Sequence, residues 1–275
     1  MNRLFSVGVA VAAGAMLLFL LLPIVAIFAR VPPGELVAAL GRGQATDALL
    51  VSIETNLIAL AAVVLAGTPT AWLIATRAGR LRDLAVTLVE LPLVLPPAVA
   101  GIGLLAAFGR VGLVGAHVHV IGTSLAFTKA AVVVAIAFVA SPFYVRSAIA
   151  AFEGVDPSLT QAARTLGAGQ ARTFARVALP LAAGGLGAGA ALAFARGIGE
   201  FGATLMFAGS LRGVTQTLPL AIYEAFDLDF DLALAISALL VAISAVILLA
   251  TKLAFRWRST SPSTTLFAPS APRST

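Results

Sequence analysis

Residues Gln161–Pro180 read QAARTLGAGQARTFARVALP. The stretch is polar, carries Arg164, Arg172 and Arg176, and lies between long apolar runs. A turn between two membrane helices needs only a handful of residues, so this segment is over-built for a connector. It reads instead as a structured, basic, helix-forming element on one side of a bilayer, suited to docking.

The bilayer itself follows from composition. Of 275 residues, 60% are hydrophobic and 11% charged, and the mean hydropathy is +1.03. Soluble domains carry about a quarter charged residues, so this is an integral membrane protein with no room for a large soluble domain. Cysteine is absent, which excludes disulfides, thiolate metal sites and cysteine nucleophiles. The formal charge of +6 reads as the orientation bias of membrane loops rather than as a nucleic-acid footprint. His117 and His119, in HVH, lack a third ligand and read as a solvated loop, so neither a metal nor another cofactor is expected.

A spanning helix needs about 20 apolar residues. Runs that qualify lie at 6–29, 49–76, 84–108, 125–147, 181–208 and 232–253, predicting about six transmembrane helices in an all-α membrane protein. The first follows Arg3 as a signal peptide would. Its apolar run is too long for one, and no small-residue cleavage site precedes Arg30, so it reads as a retained helix. One set of loops holds Arg3, Arg77, Arg80, Arg82, Arg146, Arg164, Arg172, Arg176, Lys252, Arg256, Arg258 and Arg273. The other holds only Arg30, Arg42, Arg110 and Arg212. The richer set is cytoplasmic, which puts both termini and Gln161–Pro180 inside. Residues 1–258 form the membrane domain, with a cytoplasmic segment at 156–180. Residues 259–275, rich in Ser, Thr and Pro, read as a disordered tail.

Within the cytoplasmic segment, Asp156-Pro157-Ser158 signals a helix start: a capping Asp, then Pro at the first helical position. A short helix follows over Leu159–Leu166. Gly167 and Gly169 break it, Gln170–Ala178 forms a second, and Pro180 opens the next membrane helix. Ala162 and Ala163 keep the first helix thin enough to enter a groove. The spacing then becomes specific. Gln161-Ala162-Ala163, three residues, Gly167, nine residues, Val177, one residue and Leu179-Pro180 resemble the Glu-Ala-Ala…Gly…Ile-x-Leu-Pro motif of ABC importer permease subunits. In that family the motif forms the coupling helix that sits in a cleft of the ATPase. The resemblance implies that Gln161, Ala162, Ala163, Gly167, Val177, Leu179 and Pro180 couple the chain to ABC ATPase subunits. Val177 replaces Ile conservatively. Gln161 replaces Glu, keeping the hydrogen bonds and dropping the charge that a salt bridge would use. No G-x-x-x-x-G-K-[ST] loop occurs, so the chain is not itself an ATPase and energy must come from a partner.

The second informative stretch is FARGIGEFGAT, Phe194–Thr204, inside the fifth expected span. An intramembrane charge costs about 2.5–3.5 kcal/mol on insertion scales and marks function by default. Arg196 and Glu200, four apart, are placed to pair on one helix face; a purely structural ion pair fits them equally well. This run, followed by Thr217-Leu218-Pro219-Leu220 and Ile222-Tyr223, resembles the oxyanion branch of the same family, its molybdate members above its sulfate members, with tungstate not distinguished. The resemblance spans about Leu49–Leu249 and implies a type I ABC importer permease fold. It also implies a homodimeric pore lined by the third and fifth spans, a separate periplasmic or lipoprotein oxyanion-binding protein, and residence in the bacterial cytoplasmic (inner) membrane. Surrounding lipid is the remaining partner. On the third span, VELPLVLPPAVAG carries Glu90, Pro92, Pro96 and Pro97, and prolines there free carbonyls and bend a helix. Pro96, Pro97, Arg196, Glu200, Phe201 and Thr204 are thus the candidate translocation path or gate. Thr68, Thr70 and Ser141 are further candidate donors, and Lys129 reads as a snorkelling interfacial charge.

Other classes fit less well. An ion-coupled secondary transporter needs paired inverted repeats with matching broken helices, which the one proline-rich and one glycine-rich span do not clearly supply. An intramembrane enzyme needs convergent catalytic groups, and none stands out. Sulfate or tungstate import by the same architecture is the nearest alternative. Reporter fusions test the topology: a reporter at Gly43 is expected outside and one at Thr260 in the cytoplasm, and a cytoplasmic signal at Gly43 would refute the orientation.

Overall fold

The computed structural model describes residues 3–32, 34, 38, 41, 43–114 and 125–259, so His117, His119 and the Ser/Thr/Pro-rich tail beyond Ser259 lie outside the described residues. The regular elements among them are all helices, without strands. We number the helices α1 (Arg3–Arg30), α2 (Gly43–Ala75), α3 (Arg80–Val94), α4 (Pro97–Phe108), α5 (Lys129–Glu153), α6 (Pro157–Thr165), α7 (Gln170–Thr173), α8 (Leu179–Ile198), α9 (Gly202–Ala208), α10 (Leu218–Leu228) and α11 (Phe230–Ser259). Among the described residues five helices are long and apolar enough to span a bilayer, and α3 with α4, bent by 112°, passes the same test of length and composition as a pair.

The bundle is organised around α5, which packs along α2 on one side and α8 on the other. Small residues let the backbones close. At Gly67 of α2 an added Cβ would lie 2.9 Å from the Tyr144 ring, and at Gly189 of α8 it would lie 2.7 Å from Ser147 Cβ. This is how membrane helices associate when lipid is as apolar as the side chains. Part-buried hydroxyls add direction: Thr68 Oγ1 donates to Val64 O of its own helix at 2.6 Å and meets Tyr144 Oη at 2.5 Å. In contrast, α1 exposes Val11, Leu17, Leu18, Phe19 and Leu22 around its circumference and buries none of its apolar window. A helix apolar all round and unpacked is one that lipid surrounds.

Two expected spans differ from the uniform helices that hydropathy suggests. The third is not one rod: Leu95 and Pro96 are extended, Pro97 takes the first position of α4, and the chain turns by 112°. Pro96 and Pro97 supply no N–H, so the helical ladder cannot continue through them. The fifth span ends at Ile198; Gly199, Glu200 and Phe201 are non-helical before α9 begins at Gly202. The Arg196–Glu200 pair therefore straddles a helix terminus rather than lying on one face. The boundary at Pro180 also differs. Gln170–Ile198 is continuous, because a π-helical turn over Phe174–Ala178 joins α7 to α8 and Pro180 lies inside the continuous rod. In that turn Leu179 N–H reaches Phe174 O, one residue further than an α-helix would reach. The wider turn absorbs the donor that Pro180 lacks.

The two broken spans meet. At Gly101 of α4 an added Cβ would lie 2.7 Å from Ala203 O and 2.9 Å from Ala203 Cα, and at Gly202 it would lie 2.9 Å from Pro97 Cβ. Gly101→Val is expected to force α4 and α9 apart and to lower stability by about 1–3 kcal/mol, as overpacking does. The check is the thermal midpoint of the purified protein in detergent, against Gly103→Val, where an added Cβ meets nothing within 4 Å.

Candidate functional site

Residues expected to act divide between two ends of one rod. At the first end, Asp156 caps α6, its carboxylate accepting from Ser158 N at 2.8 Å, with Pro157 in the first turn. That hydrogen bond, and a second through the Ser158 side chain, hold the Asp156 carboxyl below its ordinary range. Gly167 sits at φ +84°, the left-handed region that favours glycine, and turns the chain so that Leu166 and Gly167 amides return to Ala162 O and Arg164 O. No residue of α6 is buried, and Leu159 and Leu166 are exposed. Gln161 and Ala162 are exposed as well, while Ala163 and Val177 are half-buried. Leu179 is half-buried and Pro180 exposed, both within the continuous rod. The motif thus splits into an exposed helix carrying Gln161–Ala163, a glycine turn, and an anchor.

The anchor is aromatic. Phe174, on the π-helical turn, packs its ring 5.6 Å from Trp72 of α2 and 6.1 Å from Phe152 of α5, and Trp72 meets Phe152 edge-on at 5.3 Å. Such ring pairs contribute about 0.5–1.5 kcal/mol each beyond their buried area. Arg82 of α3 joins the same end through an ion pair with Glu153, and Glu90 pairs with Arg146. The exposed helix is therefore joined to a seat drawn from α2, α5 and the π-helical turn.

At the other end of α8, Asn56 of α2 donates to Phe194 O at 3.0 Å, and Gly197 leaves the room that the Asn56 side chain fills. This clamp fixes the backbone on both sides of Arg196. Arg196 Nη2 lies 2.7 Å from Glu200 Oε2, and Glu200 Oε1 accepts from Ala203 N at 2.8 Å. Glu200 thereby closes the break, satisfying the start of α9 with one oxygen and the guanidinium with the other. The two partners are unequal in exposure: the Arg196 side chain is 28% accessible, the Glu200 side chain 1%. Arg196 lines a cavity of about 110 Å³ with Pro92, Leu93, Leu95, Pro97, Val139 and Phe143, at the elbow between α3 and α4.

Of the remaining candidates, Pro96 and Pro97 form that elbow. Phe201 stacks at 5.2 Å on Tyr223 of α10, which ties two halves of the sequence pattern together. Thr204 is buried, and its hydroxyl has no hydrogen-bond partner among the described residues. Thr68, Thr70 and Ser141 are bonded to helix carbonyls at Val64, Ala66 and Phe138, and Thr70 and Ser141 line a groove of about 310 Å³ between α2 and α5. Lys129 does more than snorkel: it pairs with Glu54 at 2.7 Å. Three features escaped the sequence. Asn56 closes a short polar cluster, Ser52, Glu54 and Thr55, inside an otherwise apolar run, the one available hint. The aromatic seat joins residues a hundred positions apart. The loop after α9 buries Thr215, Gln216 and Thr217, with Ser52 Oγ accepting from Leu218 N at 2.7 Å. No cluster that would hold a metal occurs among the described residues.

Comparison with known proteins places this architecture. A family model described as "Binding-protein-dependent transport system inner membrane component" matches residues 67–259. The chain is 44% identical over 233 residues to the molybdenum transport system permease protein ModB of Mycobacterium bovis, covering 85% of this chain and 88% of the relative. It is 39% identical over 235 residues to a probable molybdenum ABC transporter permease protein of Haloferax volcanii, covering 84% of each. Among solved structures, a bacterial alginate ABC transporter in complex with an alginate pentasaccharide-bound periplasmic protein superposes with a TM-score of 0.76 at 16% identity, over 94% of this chain and 95% of that one. That likeness establishes the type I importer permease fold.

The cap on α6 makes a pH prediction. A carboxyl held below its unfolded value stabilises the segment above that value, and the contribution is lost as pH falls through the folded value. The protection factors of the Ser158–Ala162 amides, corrected for the intrinsic pH dependence of exchange, are expected to fall with acidification in the wild type and to change much less in Asp156→Asn, which caps without titrating.

Proposed function

The chain belongs to the binding-protein-dependent transport system inner membrane component family, and we propose on that premise that it is the pore-forming subunit of an ATP-driven importer for molybdate. The observation that carries this reading is mechanical. One continuous rod, Gln170–Ile198, has an exposed docking helix at one end and the Arg196–Glu200 break at the other. A push on α6 is passed through the aromatic seat to the elbow where the two broken spans meet.

Two copies of the chain complete the pore in this proposal, and two ABC ATPase subunits receive the helices carrying Gln161, Ala162 and Ala163. Gly167 shapes the turn, while Val177, Leu179 and Pro180 join it to the rod. ATP-driven closure of the ATPases brings the two docking helices together and turns the pore outward, where a separate oxyanion-binding protein delivers its anion. Hydrolysis returns the pore inward. Pro96, Pro97, Arg196, Glu200, Phe201 and Thr204 form the path or gate. The relatives' names support molybdenum as the cargo. The pore itself need only bind weakly, since conduction requires release. Residues 1–258 act as one membrane domain and the remainder as a cytoplasmic tail.

Gly167→Val tests the coupling role. A β-branched residue at φ +84° costs roughly 1–2 kcal/mol and opens the turn. Co-purification of the ATPase and uptake are both expected to fall, and intact coupling would overturn the assignment. For the cargo, labelled molybdate uptake is expected to resist an equal concentration of sulfate, and strong sulfate competition would overturn molybdate in favour of the sulfate reading.

A further inference from the structure

We propose that Arg196 is the anion-recognition group of the pore, and that Glu200 is its built-in counter-ion, which keeps the site weak enough to conduct. The inference rests on the anion-importer reading. It turns on the asymmetry of the pair.

Among the described residues Arg196 is the one charged side chain lining the cavity at the elbow, beside Pro92, Leu95, Pro97, Val139 and Phe143. A guanidinium presents a planar fork of donors that matches a tetrahedral oxyanion in bidentate fashion. In apolar surroundings its attraction for a dianion is much stronger than in water. Alone it would hold the anion too firmly, because a conducting site must bind well enough to admit and weakly enough to release.

Glu200 supplies the offset. Its carboxylate is 1% accessible, against 28% for Arg196, so the cation faces the cavity while the anion is walled off behind it. A path for cations would need the reverse arrangement. The position of Glu200 does not depend on Arg196: Oε1 accepts from Ala203 N at 2.8 Å, which ties the carboxylate to the start of α9. Arg196 is therefore free to divide its donors between Glu200 and an arriving oxyanion without Glu200 losing its seat. The Asn56 clamp at Phe194 O, 3.0 Å, keeps the backbone still while the side chain exchanges partners. On departure of the anion, the guanidinium returns to Glu200. Tetrahedral dianions as a class are the ligand, and the same chemistry serves molybdate, tungstate and sulfate.

The experiment uses the full permease–ATPase complex with its binding protein, in proteoliposomes, with molybdate and sulfate as separate labelled probes. Arg196→Gln is expected to lower oxyanion uptake by roughly tenfold or more, the loss of a hydrogen-bonded charge, with Arg196→Lys intermediate. Glu200→Gln keeps the shape and the acceptor for Ala203 N while removing the charge. It is expected to tighten oxyanion binding to the binding-protein-free complex about tenfold in equilibrium dialysis and to slow uptake at saturation. A merely structural ion pair would weaken stability in both variants and tighten binding in neither. Unchanged uptake in Arg196→Gln, or unchanged or weaker binding in Glu200→Gln, would overturn the proposal. Should Arg196→Gln fail to assemble with the ATPase, the isosteric Glu200→Gln binding measurement decides alone. If the wild type carries sulfate and not molybdate, the cargo assignment falls, and the proposal stands or falls on whether Arg196→Gln abolishes the sulfate uptake.

Discussion

Hydrocarbon offers no hydrogen-bond partner, so the backbone groups that this chain places within the bilayer must be satisfied by the protein itself. That constraint shapes each irregular feature. The helix that stops at Ile198 is closed by Glu200, which serves Arg196 and the Ala203 amide together. Pro180, which would leave a gap in an α-helix, is accommodated by the π-helical turn in which Leu179 reaches Phe174. Asn56 serves the Phe194 carbonyl, and Thr68 meets Tyr144. The break and the π-helical turn are closed by partners within their own span, while Asn56 and Thr68 link one span to another.

The same partners fix one long rod within the bundle. The Gln170–Ile198 rod is held at one end by Trp72, Phe152 and Phe174 and at the other by Asn56. Between them, small residues set it closely against α5. Packed interfaces of this kind move as bodies rather than deform. In the proposed mechanism, displacement of the exposed helix is delivered to the break where Gly202 rests on Pro97 and Gly101 on Ala203. The two prolines and the glycines create a place where two spans stop being helical side by side. Side chains from both meet one cavity there.

Much of this was legible in the residues. Hydropathy located the spans, and the Asp-Pro start and glycine stop of the exposed helix fell at Pro157 and Thr165, one residue short of Leu166. Local rules decide such features: a capping carboxylate, a donorless first-turn proline, a glycine at positive φ. The breaks were less legible. Prolines at 96 and 97 announced a bend without its size. The run through Arg196 and Glu200 read as continuous helix because hydropathy averages over a window and does not register a three-residue interruption. Pro180 suggested a helix start, and a π-helical turn instead carried the rod through it. Turns of that kind have no short-range sequence signature.

By itself the sequence determined that the chain lives in a membrane, that it has about six candidate spans, and which family it joins. These depend on counts, periods and spacings along the chain. Only the tertiary structure decided that Arg196 is presented and Glu200 hidden, that Asn56 clamps the rod, that Phe174 finds Trp72 and Phe152, and that the third and fifth spans break where they touch. Each of these is a matter of which side chain faces which across distances of up to 138 residues in the sequence. Burial and charge presentation are properties of the packed bundle, and no linear pattern encodes which member of an ion pair the bundle leaves exposed.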